Sequence, residues 1–226
     1  MVRETILASV VAGLIAALVF TLVQSVWVTP LILQGETYEE AAETSAHHHE
    51  EDEWKPQDGW QRTSLTFGAN LLMGVGYSFV LVALYLLWRE PKNALGGALY
   101  GLAGFTVFFV APALGLPPDL PGTASAELGS RQQWWVMTAV ATAAGLILMF
   151  SRTPWWTRIL ALALIAAPHL IPAPHPAVES SLAPAELQSR FRVATTICNA
   201  LFWLSLGVAS GVAFQKLVAR STRSEA

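Results

Sequence analysis

The sequence predicts an all-α integral membrane protein of about six transmembrane helices, or five if its weakest apolar block does not cross, with both termini cytoplasmic. Three observations carry that reading. Hydrophobic residues make up 54% of the 226 and charged ones only 13%, about half the charge of an ordinary soluble domain, and the mean hydropathy is +0.47. The apolar residues are gathered in blocks as long as the hydrocarbon core of a bilayer is thick. No block alternates in polarity as a membrane strand does, which would need only about ten residues per crossing.

The blocks follow in order. Thr5 to Val28 contains no charge and ends at Thr29-Pro30 without a small-residue cleavage site, so it reads as a retained anchor and not a signal peptide. Leu65 to Trp88 is the second block, and the charged turn Arg89-Glu90-Pro91-Lys92 leads to the third, Ala94 to Leu114. Proline lacks the N–H that a continuing helix needs, so Pro112, Pro117, Pro118 and Pro121 end that block. Trp134 to Phe150 is the fourth. The fifth, Trp155 to Ile171, is short and holds Arg158 near its start and His169 near its end; Val193 to Phe214 closes the set. The whole chain reads as one polytopic domain with three outer segments: an acidic, histidine-containing loop over 29–64 and proline-rich loops over 115–131 and 172–192.

Orientation comes from Lys and Arg in alternate loops. Arg3, Arg89, Lys92, Arg152, Arg158, Lys216, Arg220 and Arg223 fall on one side, largely in short turns and tails; Lys55, Arg62, Arg131, Arg190 and Arg192 fall on the other. The first side is therefore expected to be cytoplasmic, in the cytoplasmic (inner) membrane. All five histidines and most acids then lie outside. Trp27, Trp88, Trp134, Trp135, Trp155 and Trp156 stand at block ends, where indole rings anchor at headgroup level. Gly97-x-x-x-Gly101 and Gly207-x-x-x-Gly211 would allow close helix approach.

Absences narrow the function. The lone Cys198 gives no CxxC and no thiolate metal site. There is no GxxxxGK[ST], HExxH or GxSxG, so neither an ATPase nor an enzyme is expected. A net charge of −3 without a basic stripe excludes nucleic acid as a partner. No Asp or Glu lies within a block, which counts against an antiporter built on a buried carboxylate.

What remains is metal chemistry through His and carboxylates. His47, His48 and His49 run directly into Glu50-Glu51-Asp52-Glu53, a mixture that suits borderline divalent cations such as cobalt, nickel and zinc. Adjacent residues do not share a helix face, so this segment reads as a collecting loop and not a selective site; the plainer alternative is a solvated acidic loop. In Pro168-His169-Leu170-Ile171-Pro172-Ala173-Pro174-His175-Pro176, His169 is the one histidine inside an apolar block, and ionisable groups at that depth tend to be functional. Prolines around it would free carbonyl oxygens; the alternative is a histidine facing headgroups. Asp119, in Gly115-Leu116-Pro117-Pro118-Asp119-Leu120-Pro121-Gly122, is either a ligand or ordinary turn chemistry. No tightly bound cofactor is expected, only a transported divalent cation.

These stretches together, with Arg131-Gln132 before Trp134-Trp135, resemble the CbtA family over essentially the whole chain. The resemblance implies the membrane subunit of a predicted cobalt transporter associated with cobalamin synthesis, and a small one-helix partner subunit, CbtB, with histidines of its own. On this reading the outer loop concentrates metal and passes it to a selective site near His169 and His175, with Asp119, from which it moves inward between helices. A metal-binding scaffold or sensor that transports nothing is the alternative. A haem or quinone subunit using His169 is disfavoured, because no second histidine lies in another block. Beyond the lipid bilayer and the one-helix subunit, self-association into a homo-oligomer is also open.

Overall fold

The computed structural model describes residues 2–46 and 56–218. Seven helices follow one another: α1 (Val2–Trp27), α2 (Thr29–Ala46), α3 (Trp60–Leu87), α4 (Ala94–Ala113), α5 (Leu128–Phe150), α6 (Trp156–Leu170) and α7 (Ala185–Val218). The described residues contain no strand, so the all-α membrane fold expected from composition is the fold found. Five of the helices, α1, α3, α4, α5 and α7, are long and apolar enough to cross a bilayer by themselves. Their outward faces are lined with exposed Leu, Val and Ile, among them Leu72, Leu87 and Val140, the pattern of a surface that meets acyl chains and not water.

The segment from Thr29 onward, expected as loop, opens with helix α2 instead. The break from α1 is a single residue, Val28, where Pro30 removes the N–H that would have continued the ladder. Glu39, Glu40, Ala41 and Ala42 are good helix formers, and that local preference is invisible to a search for apolar blocks. The expected collecting residues His47, His48, His49 and Glu50 lie outside the described residues.

The described chain forms two compact units. The first holds α1, α3, the start of α4 and the end of α7. Here α1 and α3 run antiparallel, backbone against backbone: a Cβ on Gly13 would lie 2.5 Å from the Val75 nitrogen, and one on Gly74 2.7 Å from the Gly13 oxygen. Farther along the seam Asn70 donates through Nδ2 to Thr21 Oγ1 (3.0 Å) and to Gln24 Oε1 (2.9 Å). The second seam joins α4 to α7, where Gly97 and Gly101 meet Gly207, Gly211 and the carbonyl of Trp203. Side chains also fix α7 against α3 and α1: the Tyr77 ring is tilted against Trp203 (4.7 Å) and Phe20 against Phe202 (5.0 Å), and the Tyr85 hydroxyl shares a hydrogen bond with Ser210 Oγ (2.9 Å). In this arrangement α3 and α7 are parallel to each other and antiparallel to α1, so the start of α1 and the end of α7 share one end of the unit. The Arg89–Asn93 turn stands there too, tied by Gln215 Nε2 donating to the Pro91 carbonyl (2.6 Å).

The second unit holds α2, the rest of α4, α5, α6 and the start of α7. Helix α6 is the short fifth block, and its last turn tightens to a 3-10 helix at Ala167–Leu170 because Pro168 cannot donate. Its rise of roughly 24 Å matches the depth from Trp134 to Phe150 of α5, against which it runs antiparallel. Gly145 faces Ala161 and Ile165, and Trp134 Nε1 donates to the Ile171 carbonyl (3.1 Å). The fifth block therefore returns the chain to the end at which α5 began. There the two proline-rich loops pair: Ala124 N donates to Ser180 O (2.9 Å) and Leu182 N to Gly122 O (3.2 Å), around a left-handed Gly122 (φ 73°).

Two glycine substitutions test the seams. Gly101→Leu is expected to lower stability by about 3 kcal/mol or more, because backbone and not a flexible side chain stands in the way. Gly68→Ala, where a methyl meets nothing within 4 Å, is expected to be neutral or to stabilise by about 0.5–1 kcal/mol. Thermal unfolding in detergent micelles distinguishes the two.

Candidate functional site

The paired proline loops and the first turns of α5 and α7 build a polar region at one end of the second unit. Its centre is Asp119, held one-third exposed by the stiff Pro117-Pro118 turn. Gln188, one turn into α7 and only 7% exposed, clamps that turn from below. Its Oε1 accepts from Leu120 N (3.1 Å) and its Nε2 donates to Asp119 Oδ1 (2.5 Å). Arg192, one turn further on, reaches the same oxygen with NH2 (2.6 Å) and the Pro118 carbonyl with Nε (3.4 Å). The arginine is 45% exposed, so the pair sits in high dielectric and contributes little to stability. Its effect is local: a tethered cation already occupies one carboxylate oxygen.

Asp119 and His175 line one cavity of about 440 Å³, together with Glu179, Arg131 and Arg192. The structure thus brings two of the expected ligands to one space. His169 is placed differently: it is exposed at the end of α6, its ring edge-on to Trp134 at 5.9 Å, and it does not line that cavity. Among the described residues no three His, Cys, Asp or Glu side chains converge as a preformed metal site. Sequence reasoning missed Gln188, Arg192, Arg131 and Glu179. Gln188 and Arg192 are spaced i, i+4 and so share a face, but nothing in that spacing names a partner about seventy residues away.

The start of α5 is fixed by Glu127, whose extended backbone (ψ 135°) lets its carboxylate accept from Gly129 N and Ser130 N (both 2.7 Å) and from Ser130 Oγ (2.8 Å). The Ser130 hydroxyl and amide, then the Gly129 amide, hold this carboxyl below its ordinary value of 4.5. The cap orients the turn that carries Arg131, whose N–H donates to the Glu127 carbonyl (3.2 Å).

Five helices long and apolar enough to cross a bilayer define a multi-pass membrane protein. The chain belongs to the CbtA family, described as probable cobalt transporter subunit (CbtA), whose model matches residues 2–215. No curated protein and no solved structure matches it.

The cap yields a pH prediction. Because the native carboxyl titrates below its ordinary value, its contribution is present above pH 4.5 and is lost as the pH falls through the lowered native value. Glu127→Gln should therefore melt at a lower temperature than the wild type at pH 7. The gap should narrow as the pH is lowered below 4.5 toward the native value, read as paired melting curves across that range.

Proposed function

We propose that the chain is the membrane subunit of a cobalt uptake transporter in the cytoplasmic membrane, with the proline-loop end outside and both termini inside. The observation that carries the mechanism is the cavity lined by both Asp119 and His175: a carboxylate and an imidazole on one space suit Co2+, and Ni2+ or Zn2+ as competitors. The segment with His47, His48, His49 and Glu50 collects the ion. Asp119 and His175 receive it, and His169, at the edge of Trp134, takes it onward between helices. On arrival the divalent cation displaces Arg192 from Asp119 Oδ1, while Gln188 keeps the loop in place. An inside-negative potential stabilises an entering divalent ion by about 4.6 kcal/mol per 100 mV, enough for roughly thousandfold accumulation without nucleotide hydrolysis. Transport requires no bond making in the cargo, so no enzyme activity is assigned. The family description as a subunit supports a partner chain, here a small single-helix CbtB-like protein.

Uptake of radioactive cobalt into proteoliposomes under an imposed inside-negative potential, with and without the one-helix partner, tests the reading. Flux driven by the potential supports it; metal binding without flux in either preparation favours a sensor or scaffold. Within the same assay His169→Ala and Asp119→Asn should each cut uptake about tenfold or more, whereas deletion of 47–53 should cost a few-fold. Unchanged uptake by both point variants at matched protein levels would remove the proposed route.

A further inference from the structure

A second and larger cavity, of about 780 Å³, adjoins the first and shares Asp119 and Arg131 with it. Phe108 and Phe109 of α4 and Trp135 and Val136 of α5 form one apolar wall; Asp119, Thr123, Ser125, Arg131 and Gln132 line the polar part. Three features make it a site and not a packing gap. The wall is shaped by a π-helical turn, Thr106–Val110, within α4, and such single-turn insertions are frequent at functional sites. Both phenylalanines belong to that turn, and Phe108 meets the Trp135 ring at 6.1 Å. The half-buried guanidinium of Arg131 has no hydrogen-bond or ion-pair partner among the described residues. Five N–H donors in a planar fork are left to face the cavity and its neighbour. The one carboxylate on the cavity, Asp119, is already engaged by Arg192 and Gln188.

Charge and shape together select the occupant. A guanidinium without a carboxylate of its own favours an oxyanion, most strongly a phosphate that accepts two parallel N–H bonds. Arg131 stands one turn before Trp134 and Trp135, in the first turn of a helix long and apolar enough to cross a bilayer. The aromatic wall lies one turn further along α5, where Trp135 meets Phe108 of α4. An amphiphile with its phosphate at Arg131 and an acyl chain along Phe108, Phe109 and Val136 satisfies both ends of the cavity at once. An ammonium headgroup would set a second cation beside Arg131. We propose that this cavity is a binding site for one anionic phospholipid of the surrounding bilayer, held through its phosphate by Arg131.

The full chain, reconstituted in nanodiscs of phosphatidylcholine doped with phosphatidylglycerol and released for native mass spectrometry, is expected to retain one phosphatidylglycerol with about fivefold preference, the scale of one basic residue at a membrane surface. Arg131→Gln should lose the preference, Arg131→Lys should keep part of it, and Arg190→Gln, an exposed arginine that does not line the cavity, should keep all of it. Equal retention by wild type and Arg131→Gln overturns the proposal. So does a melting-temperature rise with inorganic phosphate alone that Arg131→Gln abolishes while no lipid preference exists, because the ligand is then a free anion. Should Arg131→Gln fail to fold, the wild type decides. Phosphatidylglycerol with brominated chains should quench tryptophan emission more than brominated phosphatidylcholine at equal mole fraction, and Trp135→Phe should remove the difference; equal quenching by the two lipids overturns the proposal.

Discussion

Inside a bilayer an apolar side chain gains nothing by leaving lipid for protein, so helices need another reason to stay together. In the first unit that reason is the direct approach of one backbone to another, with Gly13 against Gly74 and Val75, and Gly97 and Gly101 against Gly207 and Gly211. Close approach multiplies dispersion contacts. In the α1–α3 seam it also brings polar side chains within reach of each other, and the Asn70–Thr21–Gln24 bonds follow from it; the Tyr85–Ser210 bond joins α3 to α7. Each such bond contributes only about 0.6 kcal/mol on average, so they set register more than strength. The lipid-facing surface is left free to be uniformly greasy, which is why so many Leu, Val and Ile side chains are exposed.

The polar end of the second unit solves a different problem. Its loops are rich in proline and lack regular ladders, yet their shape has to be fixed. The fixing groups come from elsewhere in the chain: Gln188 reads both the Leu120 amide and the Asp119 carboxylate, and the Ser180–Leu182 strand-like segment pairs with Gly122–Ala124. A nearly buried amide side chain does this without adding charge. The charge that pairs with Asp119, Arg192, is placed outside it, where the guanidinium is partly exposed to solvent.

The coarse fold was legible because a bilayer imposes a length scale. Blocks such as Thr5 to Val28 and Leu65 to Trp88 map closely onto α1 and α3, and the shortness of the fifth block reappears in α6. Helix α2 was not legible, since its Glu-rich, Ala-containing stretch has helix preference but no apolar face long enough to notice. The two glycine motifs were visible as small-residue faces, but not that they face each other. The site was legible only in part. Asp119 and His175 were picked for chemistry and do share a cavity, while His169 was picked for depth and sits at a helix end on Trp134. Gln188 and Arg192 carry no local signal, because a residue's partner across a loop is a property of the fold and not of its neighbours in the chain; Arg131 was visible as part of a motif but not as a cavity residue.

The seams of the first unit also have a position in time. Tyr85 and Ser210 are 125 residues apart in the chain, and Phe20 and Cys198 are 178 apart. At a synthesis rate of about 5 to 20 residues per second, α3 waits in the membrane for roughly 6 to 25 s before the end of α7 arrives. Throughout that interval the glycine face of α4 meets lipid, or whatever small-faced helix happens to be inserted beside it. A chain halted before α7 never covers that face. Completion of the last helix is therefore the event that closes the first unit, and a quality-control protease that recognises glycine-faced, unpaired membrane helices would tell finished chains from truncated ones by this seam alone.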